Sequence, residues 1–202
     1  MDFAVFVSGS GSNLQALIDA CASGAIDGRI VCVVTGTPGA YALTRAADND
    51  IPALVFAKAD YPNAELREEA IAAALRQCKP QFIVLAGFLG ILRGAVLAEF
   101  RGRIINIHPS LLPAHGGAGM YGIKVHEDVV RCGDTVTGAT VHLVDEGTDT
   151  GRIIAQKRVA VFAGDTPETL QKRVLAEAEH LLLVQVAADI CSGKIVLHTG
   201  ES

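Results

Sequence analysis

The chain has no apolar run of membrane-spanning length, no Cys-x-x-Cys pair, no Gly-Lys-Ser/Thr triplet and no cluster of basic residues. The first absence excludes a membrane-spanning helix. Its five cysteines, Cys21, Cys32, Cys78, Cys132 and Cys191, are odd in number and widely spaced. That argues against a disulfide framework or a zinc knuckle and makes them ordinary small apolar residues. A net charge of -5 excludes a broad nucleic-acid surface, so an anionic ligand has to be gripped by local donors. The sequence opens directly on a strand pattern, Phe3-Ala4-Val5-Phe6-Val7, with neither the basic flank nor the small-residue cleavage site of a secretory signal. A cytoplasmic protein is expected. Repeats, low-complexity tracts and linkers are also lacking, so the 202 residues are expected to form one domain, 1–202.

What is present is the balance of a well-buried α/β protein, half apolar and 19% charged. Short apolar runs at 3–7, 31–34, 53–56, 82–86 and 103–107 read as strands, and helical patterns at 41–49 and 64–77 separate some of them. A helix at 124–131 comes next, then a strand at 138–144 with a hairpin partner at 153–161. One long amphipathic helix, 167–190, is opened by Asp165 or Thr166 and turns Leu170, Val174, Ala178 and Leu181 inward. The pattern predicts an open α/β sheet, whose ligands bind where strands end.

Several strand ends carry chemistry. Ser8-Gly-Ser-Gly-Ser-Asn13 leads into a helix with Leu14, Leu17, Ile18 and Cys21 at helical spacing. Small residues, successive N–H groups and a helix N-terminus make this an anion site. It is not a dinucleotide fingerprint: the third glycine would fall on Leu14, and Thr35-Gly36-Thr37 replaces the ribose-binding acid. A tight turn capped by Ser12 or Asn13 is the plain structural alternative. Gly87 to Leu92 forms either one wall of a flat apolar pocket or a glycine turn packed under a helix. Arg103-Ile-Ile-Asn-Ile-His-Pro-Ser-Leu-Leu-Pro113 puts Asn106 and His108 where Pro109 stops strand pairing. The glycine-rich stretch 114–122 is irregular and suits a ligand-covering loop. Asp145 to Gly151 is an acidic turn in which Asp149 forms an Asx turn or serves a site, and His142 reads as a core histidine. His108, His115, His126 and His142 lack a ligand spacing, so no metal is expected.

Taken together, Ser8-Gly-Ser-Gly-Ser-Asn-Leu, Ala86-Gly-Phe-Leu, Asn106-Ile-His-Pro-Ser-Leu-Leu-Pro and Val144-Asp-Glu-Gly-Thr-Asp-Thr-Gly resemble the folate-dependent formyltransferases, and among them those acting on glycinamide ribonucleotide. The resemblance covers nearly the whole chain. It implies a Rossmann-like fold with a mostly parallel sheet, helices on both faces and an antiparallel C-terminal hairpin. It implies Asn106, His108 and Asp149 as the catalytic trio, Gly11, Ser12 and Asn13 at the substrate phosphate, and Glu179 at the ribose. Folate would border Leu89, Gly90, Ile91, Leu92 and Asn106, together with Asp145, Glu146, Gly147 and Thr148. The implied partners are glycinamide ribonucleotide and 10-formyltetrahydrofolate, with no metal and no nucleic acid, in a monomer or weak homodimer. The glycyl amine would attack the formyl carbon, and Asp149 is expected to favour the protonated ring of His108.

Three departures from the family pattern stand out. Leu89-Gly90 replaces a Met-Arg pair and Ala64 an arginine, leaving Arg67 or Arg93 to meet the folate's glutamate tail. Gly116-Gly117-Ala118-Gly119 replaces Pro-Gly-Leu-His. Arg173-Val-Leu-Ala-Glu-Ala-Glu-His180 is one residue longer than the family helix. An extra residue rotates the downstream part of a helix by about 100°, so a one-turn π-bulge between Val174 and Leu182 is expected to keep Glu179 on the site and Glu177 in solvent. A hydrolase using water with the same trio, and a non-catalytic phosphate-ligand or folate-binding module, are the alternative functions. The tRNA-formylating relatives add a basic domain of which this acidic sequence bears no sign.

Overall fold

The computed structural model describes residues 1–198. Strands β1 (Asp2–Val7), β2 (Arg29–Thr35), β3 (Ala53–Val55), β4 (Phe82–Leu85), β5 (Ile104–His108), β6 (Val136–Leu143) and β7 (Ile153–Ala160) form one sheet in the order β3-β2-β1-β4-β5-β6-β7. β1 to β5 pair in parallel, whereas β6 runs antiparallel to both β5 and β7. The expected mostly parallel sheet with an antiparallel C-terminal hairpin is what forms.

The helices are α1 (Ser12–Ala22), α2 (Ala42–Ala47), α3 (Ala64–Cys78), α4 (Gly94–Glu99), α5 (Ile123–Cys132), α6 (Pro167–Val174) and α7 (His180–Cys191). Strand parity divides the core. Phe3, Val5 and Val7 join Leu17 of α1 and Leu183 of α7, while Ala4 and Phe6 join Leu75 of α3 and Val96 of α4. Both faces are covered, so the inner strands are unbroken apolar runs. The sequence pattern anticipates every one of these helices except α4. The chain reverses its direction of travel across the sheet between β1 and β4, and a crevice opens beyond their C-terminal ends.

The C-terminal helix changes register partway along its length. Thr166 caps α6: its side chain accepts from Thr169 N, and Thr169 Oγ1 accepts from Thr166 N at 2.9 Å. Asp165 instead grips Arg173 with both oxygens, at 2.6 Å each. Between α6 and α7, Leu175–Glu179 form a π turn, and His180 N donates to Leu175 O. The extra residue is absorbed as expected, leaving Glu179 buried and Glu177 exposed. Leu181, expected inward, is 55% exposed. The wider turn sets the following residues back, so Leu182 and Leu183 fill the core positions that an uninterrupted α-helix would have given to Leu181.

This register predicts that Leu181→Gln changes stability by no more than about 0.5 kcal/mol, whereas Leu183→Ala costs about 2–5 kcal/mol. Urea denaturation of both variants measures it; equal losses would place Leu181 in the core.

Candidate functional site

A cleft of about 590 Å³ lies over the C-terminal ends of β1, β4 and β5. It is walled by 9–13, 85–92, 106–109 and 117–122, by most of 144–149, and by Gln171, Lys172, Leu175 and Glu179 from the last helical unit. The proposed catalytic, phosphate, ribose and folate residues therefore share one cavity, with a single exception. Glu146 pairs with Arg101 at 2.9 Å and borders a different depression, so its side chain lies off the cleft. Arg67 and Arg93 do not border the cleft either; Lys172 is its one cationic lining residue among those described.

At one end, Gly11 occupies the cap position of α1 with φ +70, and no side chain caps the helix. This corrects the Ser12 or Asn13 cap. A Cβ on Gly11 would sit 2.8 Å from Ala42 Cβ, so glycine is required by both backbone and packing. The loop is held from outside by Arg45, whose Nε donates to Ser10 O at 2.8 Å. Helix geometry leaves the N–H groups of Ser12 and Asn13 without partners inside α1, and both residues line the cleft. The Asn13 side chain turns away to donate from Nδ2 to Glu179 Oε2 at 2.9 Å. Burial pushes the Glu179 carboxyl up, against the opposing effect of that hydrogen bond.

At the other end, Asn106 and His108 share one face of β5 because strand side chains alternate. His108 Nε2 donates to the His115 carbonyl at 2.9 Å, which leaves Nδ1 toward Asp149 Oδ2 at 3.5 Å. His142, taken for a core residue, lies directly across from Asn106 in the antiparallel register. Its Nδ1 donates to Leu143 O at 2.8 Å, and its Nε2 lies 3.0 Å from Asn106 Nδ2 and 3.5 Å from Asp149 Oδ1. The Asp149 carboxylate thus sits between two imidazoles. The spacing of β5 and β6 residues could have revealed His142, had their register been known.

Asp149 reaches this position with φ +58, in the left-handed region that aspartate tolerates better than most residues. Gly117 N donates to its Oδ2 at 3.0 Å. At Gly151 a Cβ would fall 1.8 Å from Leu143 O, so only glycine lets the turn close after Asp149. Burial pushes the Asp149 carboxyl up, but the His142 ring, the Gly117 N–H and the His108 ring outweigh it and hold its pKa below the usual value. For His108 the balance is opposite. Burial lowers its pKa more than Asp149 and the His115 carbonyl raise it, so the ring is neutral near pH 7. Asp149 does favour the protonated ring, as expected, but burial outweighs it and the balance lies toward the neutral ring.

One further group brings nitrogen, oxygen and sulfur together: His115, Asp128 and Cys132 have donor atoms within 4.8 Å of one another. Both His115 ring nitrogens already face carboxylates, so the group is an ion-pair cluster. Among the described residues no helix is long and apolar enough to cross a membrane.

Residues 1–187 match the formyl transferase family model. The chain is 46% identical over 193 residues to the chloroplastic phosphoribosylglycinamide formyltransferase of Arabidopsis thaliana, covering 95% of this chain and 66% of that one. It is 38% identical over 194 residues to phosphoribosylglycinamide formyltransferase of Haemophilus influenzae, covering 96% and 89%. The chain thus spans just under two thirds of the plant relative and most of the bacterial one. The cytoplasmic expectation is not shared by the plant protein, whose name places it in the chloroplast. The solved structure of glycinamide ribonucleotide transformylase 1 from Symbiobacterium toebii matches with a TM-score of 0.91 at 38% identity, over 98% of this chain and 91% of that one. With this likeness spanning fold, cleft and sequence, the chain belongs to the formyl transferase family, in its phosphoribosylglycinamide formyltransferase branch.

Proposed function

We propose that this chain, as one formyltransferase domain, transfers the formyl group of 10-formyltetrahydrofolate to the glycyl amine of glycinamide ribonucleotide in purine biosynthesis. The observation that carries the reading is the Asp149 carboxylate between His108 Nδ1 and His142 Nε2, at the far end of a cleft that begins at a phosphate-type loop. The ribonucleotide phosphate meets the N–H groups of Gly11, Ser12 and Asn13, and Glu179 accepts from the ribose hydroxyls. The folate lies between the wall at 89–92 and the 145–149 turn.

The amine lone pair forms the new N–C bond, and the formyl oxygen becomes an oxyanion that accepts from the Asn106 amide. The neutral ring of His108 takes the amine proton on Nδ1, becoming an imidazolium that the Asp149 carboxylate stabilises. Collapse breaks the bond to N10 and passes the same proton to it. Atoms and charge balance without a covalent enzyme intermediate or a metal.

Formyl transfer measured with and without glycinamide ribonucleotide tests the reading: turnover requires the ribonucleotide, and equal formate release without it would mark a hydrolase. Asn106→Ala and His108→Ala are each expected to lower kcat by about 10²–10³ while circular dichroism stays unchanged. Because burial lowers the His108 pKa, the acid limb of kcat/KM lies below the ordinary histidine value of about 6.5. Asp149→Asn removes a charge that raises that pKa, so in this variant the limb moves to still lower pH and kcat falls. A limb that does not move would show that Asp149 does not face the titrating group. Inorganic phosphate is expected to compete with the ribonucleotide and not with the folate. Gly11→Ala, strained at that loop, raises KM for the ribonucleotide roughly tenfold or more, and an unchanged KM would place the phosphate elsewhere.

A further inference from the structure

We infer that His115, an imidazolium clamped between Asp128 and Asp134, is a positioning residue that holds the carbonyl fixing the ring of His108. The inference rests on the reading that His108 Nδ1 carries the transferred proton. His115 Nδ1 lies 2.6 Å from Asp128 Oδ2 and Nε2 lies 2.6 Å from Asp134 Oδ2. Ionised carboxylates only accept, so both ring nitrogens donate and the ring is charged. Burial opposes that charge, but the two carboxylates outweigh it and raise the His115 pKa above its ordinary value.

The clamp joins two parts of the fold. Asp128 belongs to α5, and Asp134 follows the left-handed Gly133 that ends it. His115 itself has φ +52, and this turn aims its carbonyl at the strand end, where His108 Nε2 donates to it at 2.9 Å. That bond decides which nitrogen of neutral His108 is free to take a proton. Ser110 Oγ donates to the neighbouring carbonyl of Ala114 at 2.6 Å, so the clamp is the ionic part of a wider loop anchorage.

Other charged and titratable groups face the cluster. Arg131 on α5 pairs with the second oxygen of Asp128, and Cys132 lies on the same helix within the cluster. From β5 comes His108; from the 145–151 turn comes Asp149, whose Cβ lies 3.6 Å from where a Cβ on Gly116 would be. His126 on α5 is buried, its pKa pushed down to about 4 by burial and by His108, and it stays neutral near and above pH 7. Below the raised pKa of His115 both hydrogen bonds of the clamp are present. Above it one proton is lost and one carboxylate is released, so the clamp limits activity on the alkaline side.

Two-bond proton–nitrogen spectra of the full chain carrying ¹⁵N-histidine test this directly. At pH 7, His115 is expected with both nitrogens protonated and His108 neutral with its proton on Nε2. Asp134→Asn is expected to lower the His115 titration by roughly one pH unit and to move the alkaline limb of kcat with it, while Asp134→Glu restores both. His115→Ala lowers kcat roughly tenfold, leaves both KM values within about twofold and mixes the His108 tautomers. A neutral His115 at pH 7, or an alkaline limb unmoved in Asp134→Asn, overturns the inference. A parent protein without formyl transfer would sink the functional reading alone, since the spectra still decide whether the clamp exists and sets the His108 tautomer.

Discussion

The antiparallel pairing of β5 with β6 is the constraint on which the site depends. It sets His142 opposite Asn106 and Thr140 opposite His108, so each polar residue of the strand end has a partner across the ladder. Thr140 fastens the proline loop that comes after β5: its hydroxyl donates to Ser110 O at 2.6 Å and accepts from Leu112 N at 3.0 Å. Because β6 runs back along β5 and ends with Leu143 beside Ile105, the turn that joins it to β7 starts at the other end of β5 and folds back to border the cleft. That turn carries Asp149. The register therefore delivers the His142 ring, and the return of the turn brings the Asp149 carboxylate within 3.5 Å of it and of His108.

Within that space, burial and charge compete, and they win at different residues. His108 is 4% exposed and loses so much hydration on charging that a carboxylate 3.5 Å away does not keep it protonated. Asp149 is nearer solvent and receives an N–H as well as the fields of two rings, so it stays ionised. The result is a base beside an anion, poised to accept one proton. His115 shows the other limit: two carboxylates at 2.6 Å overcome burial.

Local features were legible in the sequence. The strand and glycine-turn pattern predicted the sheet, and the extra residue before His180 predicted the π turn. Other readings fail because they depend on what packs where. Leu181 was assigned by uninterrupted helical spacing and faces solvent, since the π turn resets the phase. The cap of α1 went to Ser12 or Asn13 on propensity, but Ala42 leaves room only for Gly11 there, and Glu179 claims the Asn13 amide. The neighbour of His108 favours a charged ring, and the desolvation that opposes it exists only in the folded cleft. His142 was invisible as a site residue because strand register is a tertiary fact.

The two outer strands of the sheet are poor templates for further pairing. At one edge β3 offers only the three residues Ala53–Val55. At the other, β7 presents Gln156, Lys157 and Arg158 to solvent. An incoming strand would find too few rungs on the first and a pair of like charges on the second, which is how natural sheets discourage edge-to-edge growth. Copies of this chain that meet in solution are thereby steered toward contact through side-chain surfaces, with the hydrogen-bond ladder ending at its seventh strand.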